Sequence, residues 1–355
     1  MAEKRQIVIN GGQFEELQSE DYDIQSPALK NLLINGAMRF ARRSTSIAGI
    51  TSTGYFGLDR WRFGVLNAGT WTMSQENDGP TDEPFKKSLK VKVTTANPTL
   101  DATDHVGIYQ RLHGADAYQL LYGSSDAKSV TLTFWVKSSV TGTYTVNLFG
   151  TSYDGYVGKS YTIDSADTWE KKTLTFDGET TTGITYGISY EFGLLFRLAD
   201  GSSYTSGTFT EGDWTTVTAE TVHGSQVDLS ATVDNDFYLT GVQLEIGEAS
   251  TPFEWLPFQL EEQLCMRYFE ELAISQDYIA GGDYGTMYRS YAWKVRKRTT
   301  PTVTANGTFQ YYSGGSGTAF TPTFVAAVDF VTVKGLSLTN ARGLLSGLIR
   351  GDAEL

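Results

Sequence analysis

Residues 128–139 read KSVTLTFWVKSS. Val130, Leu132, Phe134 and Val136 fall on one side, and Thr131, Thr133, Trp135 and Lys137 on the other. Alternation with a period of two is the pattern of a strand with one face in a core. The next segment, TYTVNLF at 143–149, puts Tyr144, Val146 and Leu148 on one side. The linker between them, SSVTG, has the length of a hairpin connection, so the two strands are expected to pair.

The same alternation recurs downstream. Phe192, Leu194, Phe196 and Leu198 alternate in EFGLLFRL, and Phe237 and Leu239 set a phase in DFYLTGVQLEI that Val242, Leu244 and Ile246 reverse. The reversal falls at Gly241, which predicts a β-bulge. SLKVKVTT, HVGIYQRL, EKKTLTF and the stretch around Trp214 complete eight to ten expected strands over 31–258. That number points to a two-sheet sandwich. TPFEWLPF at 251–258 carries two prolines and is read as the end of that domain, because proline cannot serve a central ladder.

At 259–274 the period changes. Leu260, Leu264, Tyr268 and Leu272 recur every four residues in QLEEQLCMRYFEELAI, which predicts an amphipathic helix of about four turns. Strands resume with TMYRSYAWKV, TPTVTA, TFQYY, TFVAAV and FVTVKGLSL, so 259–355 is read as a small unit of one helix on a sheet. In KVRKR at 294–298, Lys294, Arg296 and Arg298 are expected on the exposed face of a strand end. Residues 1–30 form a polar, acidic leader with few apolar anchors. Such a segment buries too little surface to fold alone. It is either a disordered tail or an arm ordered by a partner, and Ile7, Val8, Ile9, Phe14 and Leu17 are its docking residues. Asn10-Gly11 is a turn signal.

The 41 acids against 28 bases leave a net charge of −13. Phosphate neutralisation needs a basic surface, so nucleic acid is not an expected partner. No apolar run of about 18 residues is present, which predicts no membrane-spanning helix, and the N-terminus lacks the apolar stretch of a signal peptide. The chain is expected to be made in the cytoplasm. One cysteine, Cys265, allows no internal disulfide and is expected to be buried.

Three histidines, His105, His113 and His223, come without a nucleophile motif, and no phosphate-binding loop is present. No catalytic residue is therefore assigned. A paired-acid depolymerase remains an alternative without a motif. Two acidic turns, DATDH with Asp101 and Asp104 and DNDF with Asp234 and Asp236, are candidates for a structural calcium ion, or are simply turns. No other cofactor is expected. Tyr153, Tyr156 and Tyr161 in YDGYVGKSY, and Tyr204 in DGSSYTSG, lie in polar, glycine-rich surroundings. Aromatic rings of this kind suit the apolar face of a sugar, so these four are the candidate glycan contacts, or are partly buried tyrosines that cap turns or make subunit contacts. Trp61 and Trp169 are read as structural.

NLLINGAMRFARRSTS at 31–46 followed by DRW resembles the entry segment of tailed-bacteriophage fibre and structural proteins. HVGIYQRL, KSVTLTFWVKSS, TWEKKTLTF and DFYLTGVQLEIGEASTPFE resemble, in that order, their jelly-roll domain, which is similar in layout to jelly-roll carbohydrate-binding modules. QLCMRYFE and RKRTTPTVTA resemble the helix and strand that follow it, and INGGQFEELQSED resembles the virion-docking N-termini of phage fibres. The resemblance covers 31–305 well and 1–30 loosely. It implies a mainly β fold, with a jelly-roll sandwich, a C-terminal α+β unit and an extended N-terminal arm. It also implies a homotrimer on the virion surface, held to other virion proteins by its arm and facing host polysaccharide. An adaptor or capsid decoration without receptor contact is the alternative.

Overall fold

The computed structural model describes residues 7–10, 13–16, 29–150, 155–279, 283–313, 316–339 and 342–354. Two six-stranded antiparallel sheets face each other. The first contains, in spatial order, β11 (Glu170–Phe176), β8 (Val130–Ser138), β14 (Asp236–Ile246), β6 (Ser88–Thr95), β5 (Thr70–Glu76) and β3 (Ser46–Ile50). The second contains β13 (Trp214–Thr215), β10 (Tyr156–Ile163), β9 (Gly142–Gly150), β12 (Tyr190–Asp200), β7 (His105–His113) and β4 (Arg62–Leu66). Successive strands cross repeatedly from one sheet to the other, which makes the body a jelly-roll sandwich.

The alternation seen in the sequence is the alternation of burial. Val130, Leu132, Phe134 and Val136 meet Tyr144, Val146, Leu148, Phe192, Leu194, Phe196, Phe237, Leu239, Val242 and Leu244 in one continuous core. Trp61 and Trp71 are fully buried in the same core, with the Trp61 indole N–H donating to the Asn35 carbonyl at 3.0 Å. The β14 register slips between Thr240 and Gln243, and Gly241 has a φ of 60°, so the expected bulge is present. It restores Val242 and Leu244 to the core after the phase change.

The expected pairing of β8 with β9 does not occur: β8 lies in the first sheet and β9 in the second. A three-residue link serves an arch between layers as readily as a hairpin when both strands bury one face. Here the arch is fixed by its own polar groups. The Tyr144 hydroxyl donates to the Val140 carbonyl at 2.7 Å, and the Ser138 hydroxyl accepts from the Val140 N–H at 3.1 Å.

The helix is also shorter than its spacing suggested. It spans Phe258–Met266, nine residues, and the chain is extended again from Phe269. In β15 (Phe269–Ile279) Leu272 and Ile274 alternate into a second core, so period two overtakes the run of fours. An eleven-pair ladder to β22 (Arg342–Asp352) holds this strand extended. Around it stand β17 (Thr302–Ala305), β18 (Phe309–Ser313) and β19 (Ser316–Phe320), and a three-stranded sheet is formed by β16 (Asp283–Ala292), β21 (Phe330–Thr339) and β20 (Thr323–Ala326). Trp293, Phe309, Val331, Val333 and Ile349 complete the second core.

The KVRKR segment is not a strand end. It is irregular, and Lys297 is buried with its ammonium 2.6 Å from Glu270. Arg298 turns inward to donate to the carbonyl of Ala353 at 2.9 Å, whereas Lys294 and Arg296 are exposed. Cys265 is fully buried, and burial pushes its thiol well above the ordinary range. Near the N-terminus, β1 (Ile7–Asn10) and β2 (Gln13–Glu16) form an antiparallel hairpin with Asn10 opposite Gln13. Ile7, Val8, Ile9 and Phe14 belong to its strands; Leu17 lies outside the described residues.

Candidate functional site

Trp135 stands on the face of β8 that points away from the core. Across the ladders it pairs with Lys171 on β11 and Thr240 on β14, and Thr133 pairs with Thr173 and Gln243. Trp135 is half-buried on this sheet face, and two segments line a groove with it. The β5–β6 loop brings Phe85, and the stretch after β14 brings Phe253 and Trp255. Their ring centroids are 5.0 to 5.2 Å apart, a three-ring cluster in the range of favourable aromatic contact.

The position of this wall follows from the chain. Pro252 and Pro257 keep this stretch out of a ladder, and Pro257 caps the start of the helix that follows. Between them, the Glu254 carboxylate accepts the backbone N–H of Asn31 at 2.7 Å and of Lys30 at 3.1 Å. The Glu254 N–H donates to the Gln243 side-chain oxygen at 2.7 Å, and Glu245 accepts the Thr251 N–H at 2.9 Å. The bulge completes the fit, since a Cβ at Gly241 would lie 2.8 Å from the Phe85 ring.

Between wall and sheet lies a groove of about 490 Å³. That is the size of a small-molecule or oligosaccharide subsite. Thr133 and Trp135 form its floor, Phe85, Phe253 and Trp255 its wall, and Lys171 and Glu83 its rim. Trp255 is 43% exposed, so its ring is available to a ligand. The Gln243 amide is occupied by Glu245 and Glu254, so it braces the wall. The arrangement offers apolar ring faces beside a hydroxyl, an ammonium and a carboxylate. A pyranose presents the complementary set, with C–H bonds on its faces and hydroxyls on its rim.

Of the four tyrosines expected to hold sugar, the three described ones are elsewhere. Tyr161 is a core residue, 5% exposed, packed 5.0 Å from Phe134 and 5.8 Å from Tyr144. Its hydroxyl is buried without a partner, and burial raises its pKa far above the usual value. The expectation failed because β10 continues through GKSY, turning Tyr161 inward rather than onto a loop. Tyr156 is on the outer face of the second sheet, nearly buried in a satellite cluster with Tyr109, Phe149 and Leu195. Tyr204 lies over the Arg197 guanidinium at 5.1 Å and edge-on to His105 at 5.5 Å. Tyr153 is outside the described residues. None of the three described tyrosines lines the groove.

Three of the four aspartate side chains have protein partners, and Asp101 contributes its backbone N–H. Asp104 accepts the Asp101 N–H at 2.9 Å, closing the turn before β7. Asp234 pairs with Lys92 at 2.7 Å and Asp236 with Lys90 at 3.0 Å. Among the described residues, no group of three or more His, Cys, Asp or Glu is placed to hold a metal ion. Nor is any helix there long and apolar enough to cross a membrane.

No protein-family model matches the sequence, and no curated protein matches it. Several solved structures align with part of it. The enzymatically active domain of tailspike protein 4 from bacteriophage CBA120 aligns at 14% identity and a TM-score of 0.33, covering 61% of this chain and 21% of that one. A putative sugar-binding protein from Bacteroides thetaiotaomicron aligns at 12% identity and a TM-score of 0.34, covering 61% and 100%. A family 11 carbohydrate-binding module from Clostridium thermocellum, in complex with a mixed-linked tetrasaccharide, aligns at 12% identity and 0.28, covering 58% and 98%. The alignment thus spans about a fifth of the tailspike structure and nearly all of the other two.

Proposed function

We propose that this chain is a non-catalytic polysaccharide-binding protein whose sugar site is the groove between Trp135 and Trp255. The observation that carries the reading is the groove itself: a cluster of three aromatic rings and an outward tryptophan line one cavity of about 490 Å³ with polar groups at its edge. Binding is favoured over hydrolysis because glycosidases place two carboxyls across the scissile bond. Among the described residues that line the groove, Glu83 is the single carboxylate. The test is a glycan array with the purified chain, followed by calorimetry on retained oligosaccharides with Trp255→Ala and Trp135→Ala. Removing an aromatic anchor costs on the order of 2 kcal/mol at binding hot spots, so each variant is expected to bind at least tenfold more weakly. An array without any retention, or variants of unchanged affinity, overturns the reading.

The biological setting proposed is the surface of a tailed-phage particle, as a trimeric fibre that meets host polysaccharide while its N-terminal hairpin region docks on other virion proteins. Support comes from the ordered run of sequence motifs from NLLINGAMRF to RKRTTPTVTA. Light scattering of the purified chain is expected to give three times the monomer mass; a stable monomer at micromolar concentration contradicts the trimer.

A further inference from the structure

The groove does not end at Trp255. On the far side of that ring and of Pro84 a second depression of about 340 Å³ begins, and both residues line both cavities. The second depression carries Arg39, Lys86 and Lys87 and, among its described lining residues, no carboxylate. With Lys171 at the first rim, the combined trough has four cations against Glu83, in a chain whose acids outnumber its bases by 41 to 28.

Two of these cations have structural duties. Arg39 holds Glu261 at 2.9 Å and lies over the Phe258 ring at 5.0 Å, and Lys87 bonds the Asn77 side chain. The other two do not. Lys86 and Lys171 are exposed and form no ion pair among the described residues. On the same sheet face, Lys90, Lys92 and Lys137 are each neutralised by an aspartate. Among the described residues, the trough thus holds two exposed lysines without an ion pair.

Building on the sugar-binding reading, we infer that the trough takes an anionic polysaccharide, laid across Trp255 so that its acidic substituents meet Lys86 and Lys171. The overall negative charge of the protein does not forbid this. Its distant acids are screened beyond about 8 Å at physiological ionic strength, whereas contact pairs in the trough are screened far less.

The test uses matched polymers: polygalacturonate and its methyl ester, polymannuronate and neutral mannan, and phosphomannan before and after dephosphorylation. The chain is titrated with each at low and high salt. The acidic member of at least one pair is expected to bind at least tenfold more tightly, and to lose that advantage as salt rises. The first two pairs report carboxylate and the third phosphate. The double variant Lys86→Glu, Lys171→Glu changes two exposed side chains and is expected to keep the thermal midpoint while erasing the gap; Lys86→Glu alone, whose side chain lies outside the first groove, is expected to keep neutral-sugar binding while narrowing it. Acidic and neutral members bound alike, an array hit on neutral sugars alone, or an acidic preference untouched by the double variant, each overturn the inference and leave sugar binding standing. Failure of every polymer and of the array removes both readings together.

Discussion

The Arg60 guanidinium lies 3.6 Å from the centre of the Tyr268 ring, where it also bonds the Glu354 carboxylate. Arg60 belongs to the loop before β4, and Tyr268 and Glu354 come from the C-terminal unit; the side chains of Arg60 and Glu354 are only 1% and 4% exposed. Removing one partner of such a pair strands a charge away from water, at a cost of about 3–5 kcal/mol. Glu354→Ala is therefore expected to lower the unfolding free energy by about that amount in urea titrations. Arg60→Met combined with Glu354→Gln removes the stranded charge and is expected to recover most of the loss. An unchanged urea midpoint for Glu354→Ala contradicts a buried ionic joint.

Tyr161 supplies a second prediction, from a hydroxyl buried in the core without a hydrogen-bond partner. An unsatisfied buried polar group costs about 1–3 kcal/mol. Tyr161→Phe is expected to preserve or raise stability and to leave sugar binding unchanged. Tyr161→Ala opens a cavity and is expected to cost about 3–5 kcal/mol. Loss of binding in Tyr161→Phe at undiminished stability would return this residue to the sugar site.

Gly241 ties the fold to the groove. Its φ of 60° is costly for other residues, and an added Cβ pushes on the Phe85 ring, 2.8 Å away. Gly241→Ala is expected to destabilise by about 1–3 kcal/mol and to weaken oligosaccharide binding by moving the wall. Wild-type affinity in this variant shows that Phe85 is not part of the site.

What the sequence revealed and what it hid have separate physical causes. Burial on one face of a strand imposes period two directly, so β8, β12 and β14 and the bulge at Gly241 were legible. Layer membership was not, because the arch at 139–141 and a hairpin ask the same of local sequence. The fours in QLEEQLCMRYFEEL continued past the end of the helix, since Leu272 serves a strand face equally well. The groove left one trace: Trp135 falls on the polar side of an alternating strand, where a large apolar ring has no reason to be unless something covers it or binds it. Its wall was unreadable because FEW, 253–255, is brought to Phe85 by hydrogen bonds distant in sequence, those of Glu254 to Asn31 and Gln243 among them.

The most direct test of the sugar site is the indole N–H spectrum of the protein, which has seven tryptophans. Titration with a retained oligosaccharide is expected to shift the Trp135 and Trp255 resonances, assigned by single substitution, and to leave the core residues Trp61 and Trp71 in place. Movement of the Trp214 resonance alone, or of none, contradicts a sugar site between Trp135 and Trp255.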